Sequence, residues 1–195
     1  MKAAKTSSGS GTRRSGADPA SHTRTSRGQP QRLPSPPDLL LLSLATPAAT
    51  QKLGRLLAAQ CQGGDLIALQ GPLGAGKTCL VGGIARGLGI AEAITSPSFA
   101  LLNQYRGRLA LHHVDLYRLH EPAELSELGL WEAAESGGLL VIEWLDRFPD
   151  AVPNDRLQVS LDFVSLGASG RTAEIRAAGP RSQARLLALS QQLSR

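Results

Sequence analysis

The sequence predicts an α/β domain of three layers, with helices on both faces of a central mixed sheet that finishes in a C-terminal antiparallel hairpin. Two short runs without a polar residue, 66–69 and 139–142, carry this expectation. Such runs suit strands buried on both faces. Helical apolar stripes before and after the first run supply a covering layer, and two alternating runs near the C-terminus supply the hairpin.

The chain has 195 residues, room for one ordinary domain plus a tail. The composition divides it. Residues 1–37 hold seven basic residues against Asp18 alone, with one leucine, Leu33, and no aromatic residue. A segment so poor in apolar groups cannot offset its ordering entropy and is expected to be a disordered basic tail. An organelle transit peptide would share the Arg- and Ser-rich composition but needs an amphipathic helix, which the pattern lacks. Residues 38–195 hold 14 basic and 15 acidic residues, so the basic balance belongs to the tail. Charge alone does not make this body a nucleic-acid binder. No apolar run approaches the roughly 20 residues of a spanning helix, so no membrane association is expected. Two cysteines, Cys61 and Cys79, make neither a disulfide framework nor a zinc site by themselves. With no signal-peptide pattern, they favour a reducing, cytoplasmic setting.

Along the body, Thr46-Pro47 reads as an N-cap with proline at the first helical position. Leu53, Leu56 and Leu57 carry that helix to about Gln60, and Gly63-Gly64 ends it. Residues 65–70 form the first buried strand. A glycine-rich loop follows, then a helix over 80–88 stopped by Gly89. Residues 99–105 and 109–114 read as strands joined at Arg106-Gly107, and 122–128 as a short helix. The run 139–142 is the second buried strand. Residues 156–163 and 172–176 alternate polar and apolar, as a hairpin with one wet face does. An amphipathic helix over 182–193 closes the chain. No internal repeat is evident.

The loop between the first buried strand and the next helix carries the chemistry. Gly71-Pro72-Leu73-Gly74-Ala75-Gly76-Lys77-Thr78 matches the Gly-x-x-x-x-Gly-Lys-[Ser/Thr] phosphate loop. Glycines allow the backbone to curl with its N–H groups inward, forming an anion nest. The following helix adds its positive end. Lys77 reaches β- and γ-phosphates in such a loop, and the Thr78 hydroxyl ligates Mg²⁺. At this chain's composition only about 0.01 chance matches are expected. The fold expectation sharpens accordingly to a P-loop NTPase type. The guanine-binding Asn-Lys-x-Asp motif of GTPases is absent from the sequence.

A bound Mg²⁺ needs a carboxylate near the carboxyl end of a neighbouring strand. Glu143 directly follows the second buried strand and Asp115 follows the strand at 109–114, so both are candidates. Trp144 is core or a lid beside the nucleotide. His112 and His113 are adjacent and point to opposite faces of a strand, which argues against a shared metal. Thr95-Ser96-Pro97-Ser98 is a polar loop where many NTPases keep a switch segment.

The ordered set of Gly71 to Thr78, Ser96-Pro97-Ser98-Phe99, His113-Val114-Asp115-Leu116-Tyr117-Arg118-Leu119 and Ile142-Glu143-Trp144 resembles the bacterial TsaE family. These are the small P-loop ATPases of the tRNA threonylcarbamoyladenosine (t6A) pathway. The similarity runs from about Thr50 to Arg176. The resemblance implies an ATPase that works with a TsaB–TsaD pair and resets that complex by ATP hydrolysis, with TsaD performing the transfer to tRNA. By position, Thr78 and Glu143 match the family's Mg²⁺ ligands and Lys77 its phosphate lysine. Asp115 matches an acid needed for hydrolysis, so Asp115 and Lys77 are the catalytic expectations. Gly71, Gly74, Ala75, Gly76, Trp144 and Thr50 complete the expected nucleotide contacts. Pro72 stands where the family usually has Asp, Cys79 where a second Thr is common, and Ser98 where Thr is frequent. Arg118 is the candidate arginine finger in cis, with a partner's arginine as the alternative. Two other uses of the loop are a small-molecule kinase and a nucleotide-sensing scaffold without turnover. Residues 119–135 hold no arginine, against the Arg-rich lid of a kinase.

Overall fold

The computed structural model describes residues 39–195 apart from 122, 127, 151 and 165–169. The tail expected over 1–37 lies outside the described residues. The described residues form one compact unit.

Among the described residues, seven strands form one sheet in the order β1-β7-β6-β2-β5-β4-β3. Its centre is parallel. β2 (Leu66–Gln70) lies between β5 (Leu139–Glu143) and β6 (Leu157–Phe163), and β4 (Leu111–Asp115) pairs beyond β5. Both flanks are antiparallel. β3 (Leu102–Tyr105) closes one edge on β4, while β7 (Arg171–Ala177) and β1 (Leu39–Leu44) extend the other from β6. The expected mixed sheet with a C-terminal hairpin is therefore present.

The buried strands alternate their side chains between two layers, which the period of two requires. Ile67, Leu69, Val141, Val159 and Ile175 join the core under α1 (Pro47–Gln60), α2 (Lys77–Gly87) and α5 (Pro180–Leu193). Leu66, Ala68, Leu140 and Ile142 face the opposite core, with Leu125 from α3 (Ala123–Ser126), Leu130 from α4 (Leu130–Glu135), and Leu145 and Phe148. That makes the three layers.

α1 and α2 touch through their backbones. A Cβ on Gly54 would stand 2.4 Å from the Leu80 carbonyl oxygen, and one on Gly83 would stand 2.4 Å from that of Gln51. Only glycine permits this approach. α1 starts as expected, with the Thr46 hydroxyl accepting from the Ala49 N–H at 3.2 Å and proline at the first position. α5 is capped from elsewhere. Its N-cap Gly179 lacks a side chain, and the Asp155 carboxylate accepts from the Arg181 N–H at 2.9 Å and the Ser182 N–H at 2.8 Å.

Three local expectations need correction. Strand structure begins at Leu102, not 99, because the chain turns first. Leu101 sits at φ 63°, its N–H bonds the Pro97 carbonyl at 2.6 Å, and Phe99 is 87% exposed. β1 was not expected as a strand, since its partner β7 lies about 130 residues away. α4 was not expected either; it starts after Gly129, held at φ 59°.

Candidate functional site: the phosphate-loop cleft

The cleft forms where β2, β5 and β4 end together. In a parallel sheet the carboxyl ends of neighbouring strands share one edge, and ligand sites gather there. Register pairs Asp115 directly with Glu143 across β4 and β5. Both side chains follow the alternation onto the face covered by α2, on which His113 also lies. The sequence thus places two carboxylates one strand apart, opposite the start of α2.

The loop from Gly71 to Thr78 bridges β2 and α2. Gly71, Gly74 and Gly76 have φ of 128°, 78° and 103°, the left-handed region that disfavours side chains. At Gly71 crowding adds to strain, because a Cβ would lie 2.0 Å from the Leu161 carbonyl oxygen. Around Gly74 the nearest atom would be the ring tip of Phe163, at 4.0 Å. There the backbone conformation, not space, demands glycine. Ala75 is fully buried and its N–H bonds the Pro72 carbonyl at 3.1 Å.

A cleft of about 350 Å³ opens in front of this loop. Leu73, Gly74, Gly76, Lys77, Thr78, Cys79, Ser96, Ser98, Asp115, Tyr117, Glu143 and Trp144 line it. Lys77 folds back on the loop, its Nζ donating to the Gly71 carbonyl at 2.8 Å and the Pro72 carbonyl at 3.1 Å. Nζ also stands 3.7 Å from the ring centre of Trp144. Burial lowers the Lys77 pKa from its ordinary value, against the pull of Glu143, Asp115 and Asp146, which favour the charge.

Glu143 is 2% exposed. Its Oε1 accepts from the Thr78 hydroxyl at 3.0 Å, and His113 Nε2 stands 2.9 Å from the same oxygen. Asp115, 3% exposed, is held on both sides. The Ser96 and Ser98 hydroxyls reach its Oδ2, Ser98 at 3.1 Å, and the Tyr117 N–H donates to Oδ1 at 2.9 Å. Trp144 sits at φ 66°, a strained setting for a tryptophan, fixed by its N–H on the Leu69 carbonyl at 3.0 Å. Its ring centre lies 5.1 Å from that of Tyr117.

The residues fit a nucleotide with Mg²⁺. Thr78 and Glu143 offer hard oxygen donors 3.0 Å apart, suited to Mg²⁺ rather than to a soft metal. The glycine loop supplies backbone for phosphate oxygens, and Lys77 supplies a cation on the same wall. The histidines diverge as the strand period requires. His113 meets Glu143, while His112 Nε2 meets the Ser136 hydroxyl at 3.2 Å. Cys61 is remote from such chemistry, since burial first and the Asp65 carboxylate second push its thiol up to about 12.

Four expected residues stand outside the lining: Gly71 and Ala75, which belong to the loop behind it, and Thr50 and Arg118, which do not. Thr50 is buried on α1, with its hydroxyl 3.5 Å from the Thr46 carbonyl one turn back. The Arg118 guanidinium lies over the exposed Phe99 ring, 4.0 Å from its centre. Conversely, the sequence assigns Ser96, Ser98 and His113 no contact of their own, beyond a switch-loop position for the serines and membership of the family motifs for all three. For His113 the signal is register. His113 and Asp115 are two apart on β4, which puts them on one face, and Glu143 faces Asp115 on β5.

Among the described residues, no helix is long and apolar enough to cross a membrane. A family model described as "Threonylcarbamoyl adenosine biosynthesis protein TsaE" matches residues 44–171. The tRNA threonylcarbamoyladenosine biosynthesis protein TsaE of Treponema pallidum is 45% identical over 114 residues, 58% of this chain and 82% of that one. The protein of the same name from a Nostoc species is 45% identical over 137 residues, 68% of this chain and 82% of its own. The crystal structure of Bacillus subtilis YdiB superposes with a TM-score of 0.69 at 31% identity, covering 79% of this chain and 95% of that one. The matched span takes in the phosphate loop, both acids and Trp144, and this chain belongs to the TsaE family of threonylcarbamoyl adenosine biosynthesis proteins.

Proposed function

We propose that this chain is a cytoplasmic ATP-binding and ATP-hydrolysing subunit for t6A modification of tRNA, acting with a TsaB–TsaD pair and resetting that complex by hydrolysis. The observation that carries the ATPase reading is the convergence of Lys77, Thr78, Asp115 and Glu143 on one cleft in front of a glycine loop. The names of the relatives support the pathway, and tRNA would be reached through the complex.

In this reading Lys77 leaves the carbonyls of Gly71 and Pro72 for the β- and γ-phosphates of ATP. The backbone nest of Gly74, Ala75 and Gly76 takes the remaining phosphate oxygens. Thr78 and Glu143 hold Mg²⁺, which when bound neutralises charge on the phosphates. Asp115 accepts a hydrogen bond from the attacking water and aims it at the γ-phosphorus. The P–O bond to the β-phosphate breaks and ADP carries away the bridging oxygen. Trp144 flanks the nucleotide. Among the described residues no arginine is in the cleft lining, and Arg171 stands at the loop's edge, its Nη2 donating to the Gly74 carbonyl at 3.2 Å. With Arg118 stacked on Phe99, slow turnover alone and faster turnover with an arginine from a partner follow.

The test is ATP hydrolysis by the purified chain, alone and with a TsaB–TsaD pair from the same organism. The expected result is weak turnover raised by the pair. Consumption that depends instead on a small-molecule acceptor would make the chain a kinase. Tight binding with no turnover beside the pair would make it a scaffold.

A further inference from the structure

One buried group beside the cleft has no part in the mechanism above. His113 is fully buried on β4. Its Nε2 stands 2.9 Å from Glu143 Oε1, with the two side chains 0% and 3% exposed. Its Nδ1 is buried with no hydrogen-bond partner among the described residues. A carboxylate oxygen only accepts, so the imidazole carries its proton on Nε2 and donates to Glu143. Leaving Nδ1 unpartnered costs free energy that a leucine at this position would not incur. That cost is offset only if the bond to Glu143 does something an apolar side chain cannot.

The geometry shows what. Glu143 Oε1 receives two donors from two different elements, His113 on the neighbouring strand β4 and Thr78 on α2. Together they fix the rotation of the carboxylate. We infer that His113 is a positioning residue, which holds the Glu143 carboxylate in the orientation that receives Mg²⁺ beside Thr78. The inference rests on the proposed metal role of Glu143. It assigns His113 no contact with nucleotide or metal. Partners behind a metal ligand orient it, and their loss typically costs about 10–100-fold in metal affinity or activity.

The experiment measures ADP affinity of the full chain by equilibrium dialysis, once in Mg²⁺ and once in EDTA. The readout is the ratio of the two affinities. His113→Asn places its amide too short of Glu143, while His113→Gln carries an amide nitrogen close to the position of Nε2. The two differ by one methylene, so the pair separates donor reach from folding. His113→Leu removes the donor while keeping bulk. The expected result is a Mg²⁺ preference reduced about tenfold in the Asn and Leu variants. Affinity in EDTA stays at the wild-type value, and the Gln variant recovers the preference. A wild-type ratio in the Asn variant, or equal loss in Mg²⁺ and in EDTA, overturns the inference. Glu143→Gln run in parallel separates the two readings. If it keeps the full Mg²⁺ preference, the metal role of Glu143 falls, and that of His113 with it.

Discussion

β2 has two ends with opposite fates. Its carboxyl end runs into the glycine loop and stands beside Asp115 and Glu143, whose carboxylates face an open cleft with Lys77 and Thr78. At its amino end, Asp65 is closed up. It accepts from the Gln62 N–H at 2.8 Å, from Arg181 at 3.1 Å and from Arg185 at 2.8 Å, tying the strand to α5. A second acid, Asp155, is likewise consumed in capping α5. Both ends hold carboxylates with several partners, buried except for the half-buried Asp155. Those at the amino edge answer to charges and N–H groups of the fold itself. Those at the carboxyl edge answer mainly to hydroxyls, a histidine and one N–H, with a lysine parked nearby on carbonyls. Burial and hydrogen bonding therefore do not separate the proposed working acids from the structural ones; the open cleft in front of Asp115 and Glu143 does.

Breaking the working edge has the largest expected effect. Lys77→Ala removes the one lysine in the cleft lining among the described residues and lowers ATP turnover at least about 100-fold, while the thermal midpoint barely moves. Phosphate release and a melting curve check both halves of that statement. Asp65→Ala reverses the pattern. It leaves Arg185 partly buried without its partner and costs about 2 kcal/mol, below the range for fully buried pairs because Arg181 stays half in water. Urea unfolding reads that loss, and turnover at 25 °C stays near wild type.

Asp155→Ala is milder, about 1 kcal/mol, as for other N-cap losses. It also carries a pH signature. Burial works against the Asp155 charge, but the Ser182 and Arg181 N–H groups, the Ser182 hydroxyl and the Arg181 charge outweigh it and hold the carboxyl below its ordinary value. A lowered carboxyl pKa stabilises the fold above the ordinary value of about 4, and the stabilisation disappears as pH falls through the folded value. The difference between wild type and Asp155→Ala in urea unfolding therefore shrinks below about pH 4. Deleting residues 1–37 has the smallest expected effect, none on ATP turnover; a large loss would refute the dispensable tail.

Much of the working edge was legible in the sequence, because its signals are local. The phosphate loop is eight consecutive residues, and each acid directly ends a strand. The amino edge was not legible, because Asp65 meets Arg181 and Arg185 only after β6 and β7 bring α5 back across the sheet. The same reason hid β1, whose apolar run means nothing until β7 lies beside it. Within the site, sequence order could not say that the Ser96–Ser98 loop turns onto Asp115. That depends on Leu101 adopting a left-handed backbone, which no leucine advertises. The rejection of a metal shared by His112 and His113 holds, but adjacency says nothing of Glu143, which His113 meets only because β4 and β5 lie side by side with both residues on one face.

Asp115→Ala, followed in one sample for ATP binding and phosphate release beside the TsaB–TsaD pair, tests most directly whether the carboxyl edge performs hydrolysis. The account predicts wild-type binding with turnover lost. Equal loss of binding and turnover would make Asp115 a structural partner of Ser96 and Ser98, and turnover that persisted would remove it from the reaction.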